Sequence, residues 1–309
     1  MSMQALLKSK IISGTAWTTI GKISYMLIAL CANIILARLL GPSAFGELSI
    51  LMFFVISSKI LTESGLVGAI IRIKDPKETD YSTVFIFNIV ISIVIYLIIF
   101  SVSPYIQSYY GIENLDLYLK LISVVVIIDG FKIIQDARLQ KEMNFKNKYK
   151  YEVISISIAS FVSIVMAYND YGVYSLILLQ VLNSFLITLF FWSFEGGLKQ
   201  YSFDKDAFKR MFKFGRNTTL ASLINSSFDN LYQLLFAKYF SILTTGFYYQ
   251  AKKLQELPTN FVQSIALGVG YSSLARIQDE NIQFNRLFKS FIDILTSIMG
   301  YILLISIIF

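Results

Sequence analysis

The chain has no histidine and a single cysteine, Cys31, in 309 residues. That excludes a disulfide framework and a histidine proton relay, and it leaves no structural zinc site of the usual cysteine and histidine kind. No metal ligand set and no cofactor is expected. Charge is scarce too: 15% of residues are Asp, Glu, Lys or Arg, against roughly a quarter in soluble globular domains. A phosphate-binding glycine loop and a nucleophile elbow are both missing, and no stretch between the apolar runs is long enough for a catalytic domain. An enzyme is therefore not expected, and no catalytic residue is assigned.

What is present is hydrophobic. Apolar residues make up 55% of the chain, and the mean hydropathy is +0.62. Nine runs of about membrane length follow one another, at 15–37, 45–71, 81–104, 117–134, 151–167, 173–194, 214–237, 246–271 and 288–309. These runs lack the period-two alternation of a membrane barrel. The expected fold is all-α, a polytopic membrane helical bundle. The first run continues to full spanning length, and Leu30 before Cys31 does not fit a lipoprotein cleavage box, so no cleavable signal peptide is expected.

Basic residues orient the bundle. With the N-terminus cytoplasmic, the inside ends and loops carry 20 of the 27 Lys and Arg residues, while Arg38 and Lys238 fall outside. The two longest basic stretches are the loops from Lys132 to Lys150 and from Lys199 to Lys213. Cations in short loops facing anionic headgroups account for a net charge of +7 without any nucleic-acid partner.

The chain also repeats itself at an offset of 200 residues. Ile35-Leu36-Ala37-Arg38-Leu39-Leu40, leading to Gly46, reads like Leu235-Phe236-Ala237-Lys238-Tyr239-Phe240, leading to Gly246; upstream, Thr18-Thr19-Ile20 answers Thr218-Thr219-Leu220. Two-fold repeats of hydrophobic segments are a common build of secondary transporters. The matching segments are the first and seventh runs, six crossings apart, so the two copies are parallel repeats: an N-terminal six-helix lobe over 1–198 and an incomplete, three-helix C-terminal lobe over 199–309.

Several ionisable residues fall inside the runs, where a central charge costs roughly 2.5–3.5 kcal/mol on insertion scales. They are Lys22, Lys59, Glu63, Asp129, Asp229, Lys252, Lys253 and Glu256. Lys22 has the option of snorkelling inward, and Lys59 of pairing with Glu63 four residues on. Helical spacing favours a shared cavity instead. Thr15, Thr18, Lys22, Tyr25 and Asn33 share one face, as do Thr218, Ser222, Asn225, Asp229 and Gln233. In the next helix of each copy, Lys59 and Glu63 fall on Thr259 and Gln263, and Met52 and Ile56 fall on Lys252 and Glu256. Interhelical hydrogen bonding without a lumen is the competing account. The expected cavity is lined by Lys22, Tyr25, Lys59, Glu63, Asn225, Asp229, Lys252, Lys253, Glu256 and Gln263. Lysines outnumber carboxylates on these helices, so the lining should be mildly cationic and attract an anionic ligand such as a phosphate. Pro258 breaks a backbone hydrogen bond in the eighth run and is the candidate gate hinge; a static bend is the alternative.

These residues also carry a family resemblance. Ala37-Arg38-Leu39-Leu40-Gly41-Pro42 with Phe45-Gly46, and Glu63-Ser64-Gly65 in the next helix, resemble the start of bacterial polysaccharide exporters related to Wzx-like, lipid-linked oligosaccharide flippases. Ala137-Arg138-Leu139-Gln140-Lys141 resembles that family's basic loop after helix four. Gly246-Phe247-Tyr248-Tyr249-Gln250-Ala251-Lys252-Lys253-Leu254 resembles its eighth-helix signature, and Leu274-Ala275-Arg276-Ile277-Gln278 the loop that follows. The resemblance implies a multidrug-and-toxin-extrusion-like fold of roughly twelve or more helices, of which this chain is a C-terminally truncated form. It also implies alternating access in the bacterial cytoplasmic membrane, driven by an ion gradient or the membrane potential. The implied cargo is an undecaprenyl-pyrophosphate-linked glycan repeat unit, flipped to the outer leaflet for O-antigen, capsule, exopolysaccharide or teichuronic acid assembly. A glycan polymerase and glycosyltransferases are candidate partners. Two other functions stay open at this stage, a drug or organic-cation antiporter of the same fold and a non-transporting membrane scaffold for glycan-assembly enzymes.

Overall fold

The computed structural model describes residues 3–63 and 65–265, together with positions 289, 293, 296 and 300. Among these, every regular element is an α-helix: α1 (Met3–Glu63), α2 (Leu66–Arg72), α3 (Glu78–Tyr110), α4 (Leu115–Lys141), α5 (Phe145–Tyr168), α6 (Val173–Phe194), α7 (Lys205–Tyr239) and α8 (Ile242–Ile265). Trp17–Glu63, Glu78–Tyr110, Phe145–Tyr168 and Val173–Phe194 are each long and apolar enough to cross a membrane. The helices α4, α7 and α8 fall short of that measure, because charged and hydroxyl-bearing residues interrupt them. The predicted run 288–309 lies outside the described residues except for four helical positions.

The first predicted run is the first arm of α1, and the second, 45–71, covers the second arm and, past a break at Gly65, most of α2. The two arms meet at Gly41, whose φ of 74° and ψ of 174° leave the helix, and Pro42 then starts the second arm. Proline suits a first helical position, since its missing N–H has no partner there anyway. The second copy breaks at the matching place: α7 stops at Tyr239, Phe240 is extended and α8 begins at Ile242. Ser241 takes the place of Gly41, and its Oγ accepts the Thr244 N–H at 3.1 Å. Different chemistry thus produces the same break. At the other end of α7, Asp204 accepts the N–H groups of Asp206 and Ala207 at 2.8 and 3.2 Å, which holds its carboxyl below the usual carboxylate range.

Packing is inverted relative to a soluble bundle. In α3 the small polar residues Ser82, Thr83, Asn88, Ser92 and Ser103 are buried, while Val90, Val94, Leu97 and Ile98 are exposed. Lipid rewards apolar exposure, and small residues let helices approach closely. Gly130 of α4 uses that freedom, since a Cβ there would sit 2.8 Å from Ser92 Oγ. In the first arm of α1, a Cβ on Gly21 would lie 2.3 Å from the Cβ of Tyr149 on α5.

The closest approach joins the two copies. A Cβ on Gly246 would lie 1.7 Å from the Pro42 carbonyl oxygen, and one on Gly46 would lie 2.2 Å from the Ile242 carbonyl oxygen. These pairs exchange under the 200-residue offset, so the second arm of α1 and the first turns of α8 cross about a local two-fold. Bare backbone meets bare backbone there, an arrangement suited to Cα–H···O contacts. Leu36, Phe45, Leu51, Leu119 and Ile122 build the apolar cluster of this region, and Leu66, Phe85, Ile134 and Met211 belong to a second cluster. The chain divides into two compact units, Met1–Tyr249 and Gln250–Phe309, with the division inside α8.

Candidate functional site

A cavity of about 480 Å³ lies between the second arm of α1, α2, α4 and α7. The last turns of α1 bring Lys59 and Glu63 to it, α4 brings Asp129, Lys132 and Asp136, and α7 brings Thr218, Thr219 and Ser222. The α4 residues recur at steps of three and four, which places them on one helical face. Across from them stands the hydroxyl-bearing face of α7.

Asp129 organises the charges. Its carboxylate receives Lys59 at 2.7 Å and Lys132 at 2.6 Å. The Ser184 hydroxyl of α6 donates to the same oxygen as Lys132. The Asp129 side chain is 8% exposed, and that of Lys59 is 38% exposed. A buried carboxylate needs this company, because desolvating an unpaired charge costs several kcal/mol. A second chain of charges continues behind it: Asp136 meets Lys148 of α5 at 2.5 Å and accepts from Gln140 at 2.9 Å, and Glu152 lies 4.0 Å from Lys148. Glu63 has no ion-pair partner among the described residues.

The floor of the cavity is a glycine contact. Gly65 turns left-handed at φ 62°, and a Cβ there would lie 2.5 Å from the Gly215 carbonyl oxygen on α7. Gly65→Ala combines a left-handed alanine with a backbone collision and should destabilise the protein by about 2–3 kcal/mol. Thermal unfolding in detergent checks this; a midpoint equal to that of the unchanged protein would show that α1 and α7 do not meet there.

Of the residues expected to line a cavity, Lys59 and Glu63 line this one. Lys59 pairs with Asp129 on another helix and not with Glu63, its neighbour one turn on. Tyr25 accepts a hydrogen bond from Asn183 of α6 at 3.3 Å, and Lys22 is exposed and acts electrostatically on Glu152. Neither lines the cavity. Asn225 is exposed on α7 and does not line it either. The side chains of Asp229, Pro258 and Gln263 lie outside the described residues, although α7 and α8 run through these positions. In the second unit, Lys253 pairs with Glu256 at 2.9 Å, and Lys252 lies on the same helix. The described wall carries two lysines and three carboxylates, so the cationic excess expected from the sequence is not found in it. The reason is α4, which turns Asp129 and Asp136 inward. Asp136 and Glu152 are not among the residues the sequence singles out, and Lys132 and Lys148 are counted there as loop cations. The spacing of Asp129, Lys132 and Asp136 on one helical face was the signal that would have found them.

A family model described as polysaccharide biosynthesis protein matches residues 35–309. The chain belongs to this family. Several similar proteins carry related names. The lipopolysaccharide biosynthesis protein WzxC of Escherichia coli strain K12 is 26% identical over 279 residues, 89% of this chain and 56% of that protein. The teichuronic acid biosynthesis protein TuaB of Bacillus subtilis strain 168 is 21% identical over 275 residues, 88% of this chain and 57% of that protein. The succinoglycan biosynthesis transport protein ExoT of Rhizobium meliloti strain 1021 is 21% identical over 273 residues, 85% of this chain and 53% of that protein. The chain thus spans a little over half the length of these relatives. Among solved structures, the MATE multidrug transporter DinF-BH superposes with a TM-score of 0.62 at 13% identity, over 94% of this chain and 72% of that one. That likeness shows the multidrug-and-toxin-extrusion fold.

Proposed function

We propose that this chain forms part of a transporter that flips undecaprenyl-pyrophosphate-linked oligosaccharide repeat units from the inner to the outer leaflet during cell-surface polysaccharide biosynthesis. The observation that carries this reading is the cavity between α4 and α7, with the Lys59 ammonium on one wall and three hydroxyl side chains on the other. An ammonium suits a pyrophosphate, and hydroxyls suit sugars. The relatives' names, which concern lipopolysaccharide, teichuronic acid and succinoglycan, support a glycan cargo. The repeat supports alternating access, with the two copies rocking about the glycine crossing. The basic loops support a cytoplasmic N-terminus in the bacterial cytoplasmic membrane, and the cavity lies at the helix ends that lead into those loops.

Deleting the gene and restoring it with Lys59→Ala tests the proposal. The deletion should abolish surface glycan and leave lipid-linked repeat units on the inner leaflet. The alanine variant, present at normal level, should display about ten-fold less glycan, the loss of one charge-assisted contact. Undiminished display in the deletion strain would overturn the reading.

One observation favours a second reading. Glu63 faces the cavity without an ion-pair partner among the described residues, and carboxylates outnumber lysines in the wall. A drug or organic-cation antiporter would use such a lining. Efflux of a lipophilic cation from loaded vesicles, lost in Glu63→Gln, would support it; absence of efflux would remove it.

A further inference from the structure

Lys59 is the cation through which the proposed cargo would be held, yet it is engaged by Asp129 at 2.7 Å. The carboxylate does not depend on it. Asp129 has Lys132 at 2.6 Å and the Ser184 hydroxyl as further partners, and these belong to α4 and α6 and not to α1, so they do not depend on Lys59. Lys59 is also the more exposed of the two lysines, at 38% against 22%, and its long stem reaches into the cavity. Asp129, Lys59 and Lys132 together carry one net positive charge inside a wall that Glu63 and Asp136 make acidic overall, so an arriving anion meets a local cation already in place rather than an attractive field from the whole wall.

We infer that Asp129 is a positioning residue that holds Lys59 in reserve and yields it to the diphosphate headgroup of an anionic lipid. This rests on the flippase reading above and adds a latch to it. Binding then exchanges one carboxylate partner for another anion, so little unpaired charge is created at any stage. The latch also sets affinity: while Lys59 is held, the competent fraction is small and the apparent dissociation constant is raised in proportion. A carrier needs such moderation, because it must release what it binds.

The test is a titration of the purified full chain in detergent with farnesyl pyrophosphate, and separately with inorganic pyrophosphate. Asp129→Asn keeps the shape and removes the competing charge, and it should tighten both probes by about ten-fold. Lys59→Gln should weaken both, and Asp129→Asn should have no effect in its presence. Structural damage would weaken binding, so tightening is a result that packing loss does not imitate. Equal tightening of both probes places the effect on the headgroup; tightening confined to the lipid would overturn the assignment to Lys59. If the unchanged protein binds and Asp129→Asn is no tighter, or is tighter even without Lys59, the latch falls while the flippase reading stands. If neither protein binds either probe, the anionic-cargo reading falls and the latch with it. Amine labelling of the unchanged protein keeps the proposal testable where Asp129→Asn does not fold: pyrophosphate should protect Lys59 and leave Lys132 labelling unchanged, and equal protection of both would overturn the latch.

Discussion

Gly246→Val should be among the most damaging single substitutions in the described part of the chain. Its Cβ would lie 1.7 Å from the Pro42 carbonyl oxygen, 2.6 Å from the Pro42 carbonyl carbon and 3.1 Å from the Gly46 nitrogen. All three are backbone atoms, so no rotamer change relieves the collision, and the helices must separate. Overpacking usually costs 1–3 kcal/mol, and a backbone-to-backbone site belongs at about 3 kcal/mol or above. Gly46→Val should behave alike, because its Cβ would lie 2.2 Å from the Ile242 carbonyl oxygen in the symmetry-related contact. Both substitutions force the same two segments apart, so the double variant should cost clearly less than the sum of the singles. Thermal unfolding of the four proteins in detergent measures this. Full additivity would show that the two glycines do not share one crossing.

Asp129→Ala should have an effect of the same order for an electrostatic reason. It removes the carboxylate that Lys132 and Lys59 share, and breaking a buried ion pair from one side costs about 3–5 kcal/mol. Lys59→Ala should cost far less, about 1 kcal/mol, since Asp129 keeps Lys132 and Ser184 and the lost side chain was part-exposed. The order of the two unfolding midpoints is the decisive quantity. Equal losses would mean that Asp129 is not the hub of the cluster. The small cost of Lys59→Ala also makes it the right variant for the glycan-display experiment, where protein levels must hold.

Much of this organisation is legible in the residues, and the reason differs from one feature to another. The break between the first two membrane runs is local chemistry: Gly41 accepts a positive φ and Pro42 starts a helix, so the kink follows from two adjacent residues. The matching break at Ser241 follows from the repeat and from a hydroxyl cap. The placing of Lys59 and Glu63 on a cavity wall follows from helical spacing alone. The partner of Lys59 does not. Sequence spacing offers Glu63, one turn away, but neighbours on a helix compete with any carboxylate that a packed helix brings nearer, and α4 brings Asp129 to 2.7 Å. The sign of the described wall differs from the cationic excess expected of the whole lining for the same reason, because α4 carries its carboxylates inward and no local pattern on α1 or α7 announces it.

By itself the sequence determined that this is an all-α membrane protein built as a repeat, with helices interrupted at equivalent points and ionisable groups kept on particular faces. Run length, glycine and proline, and the period of a helix are properties of neighbouring residues, so they are complete before any packing occurs. Tertiary structure alone decided which charges meet, which sign the cavity wall carries and which glycines touch. Those outcomes depend on distances between segments remote in the chain, and the strength of a charge pair or the cost of one added methyl changes steeply over a few ångströms.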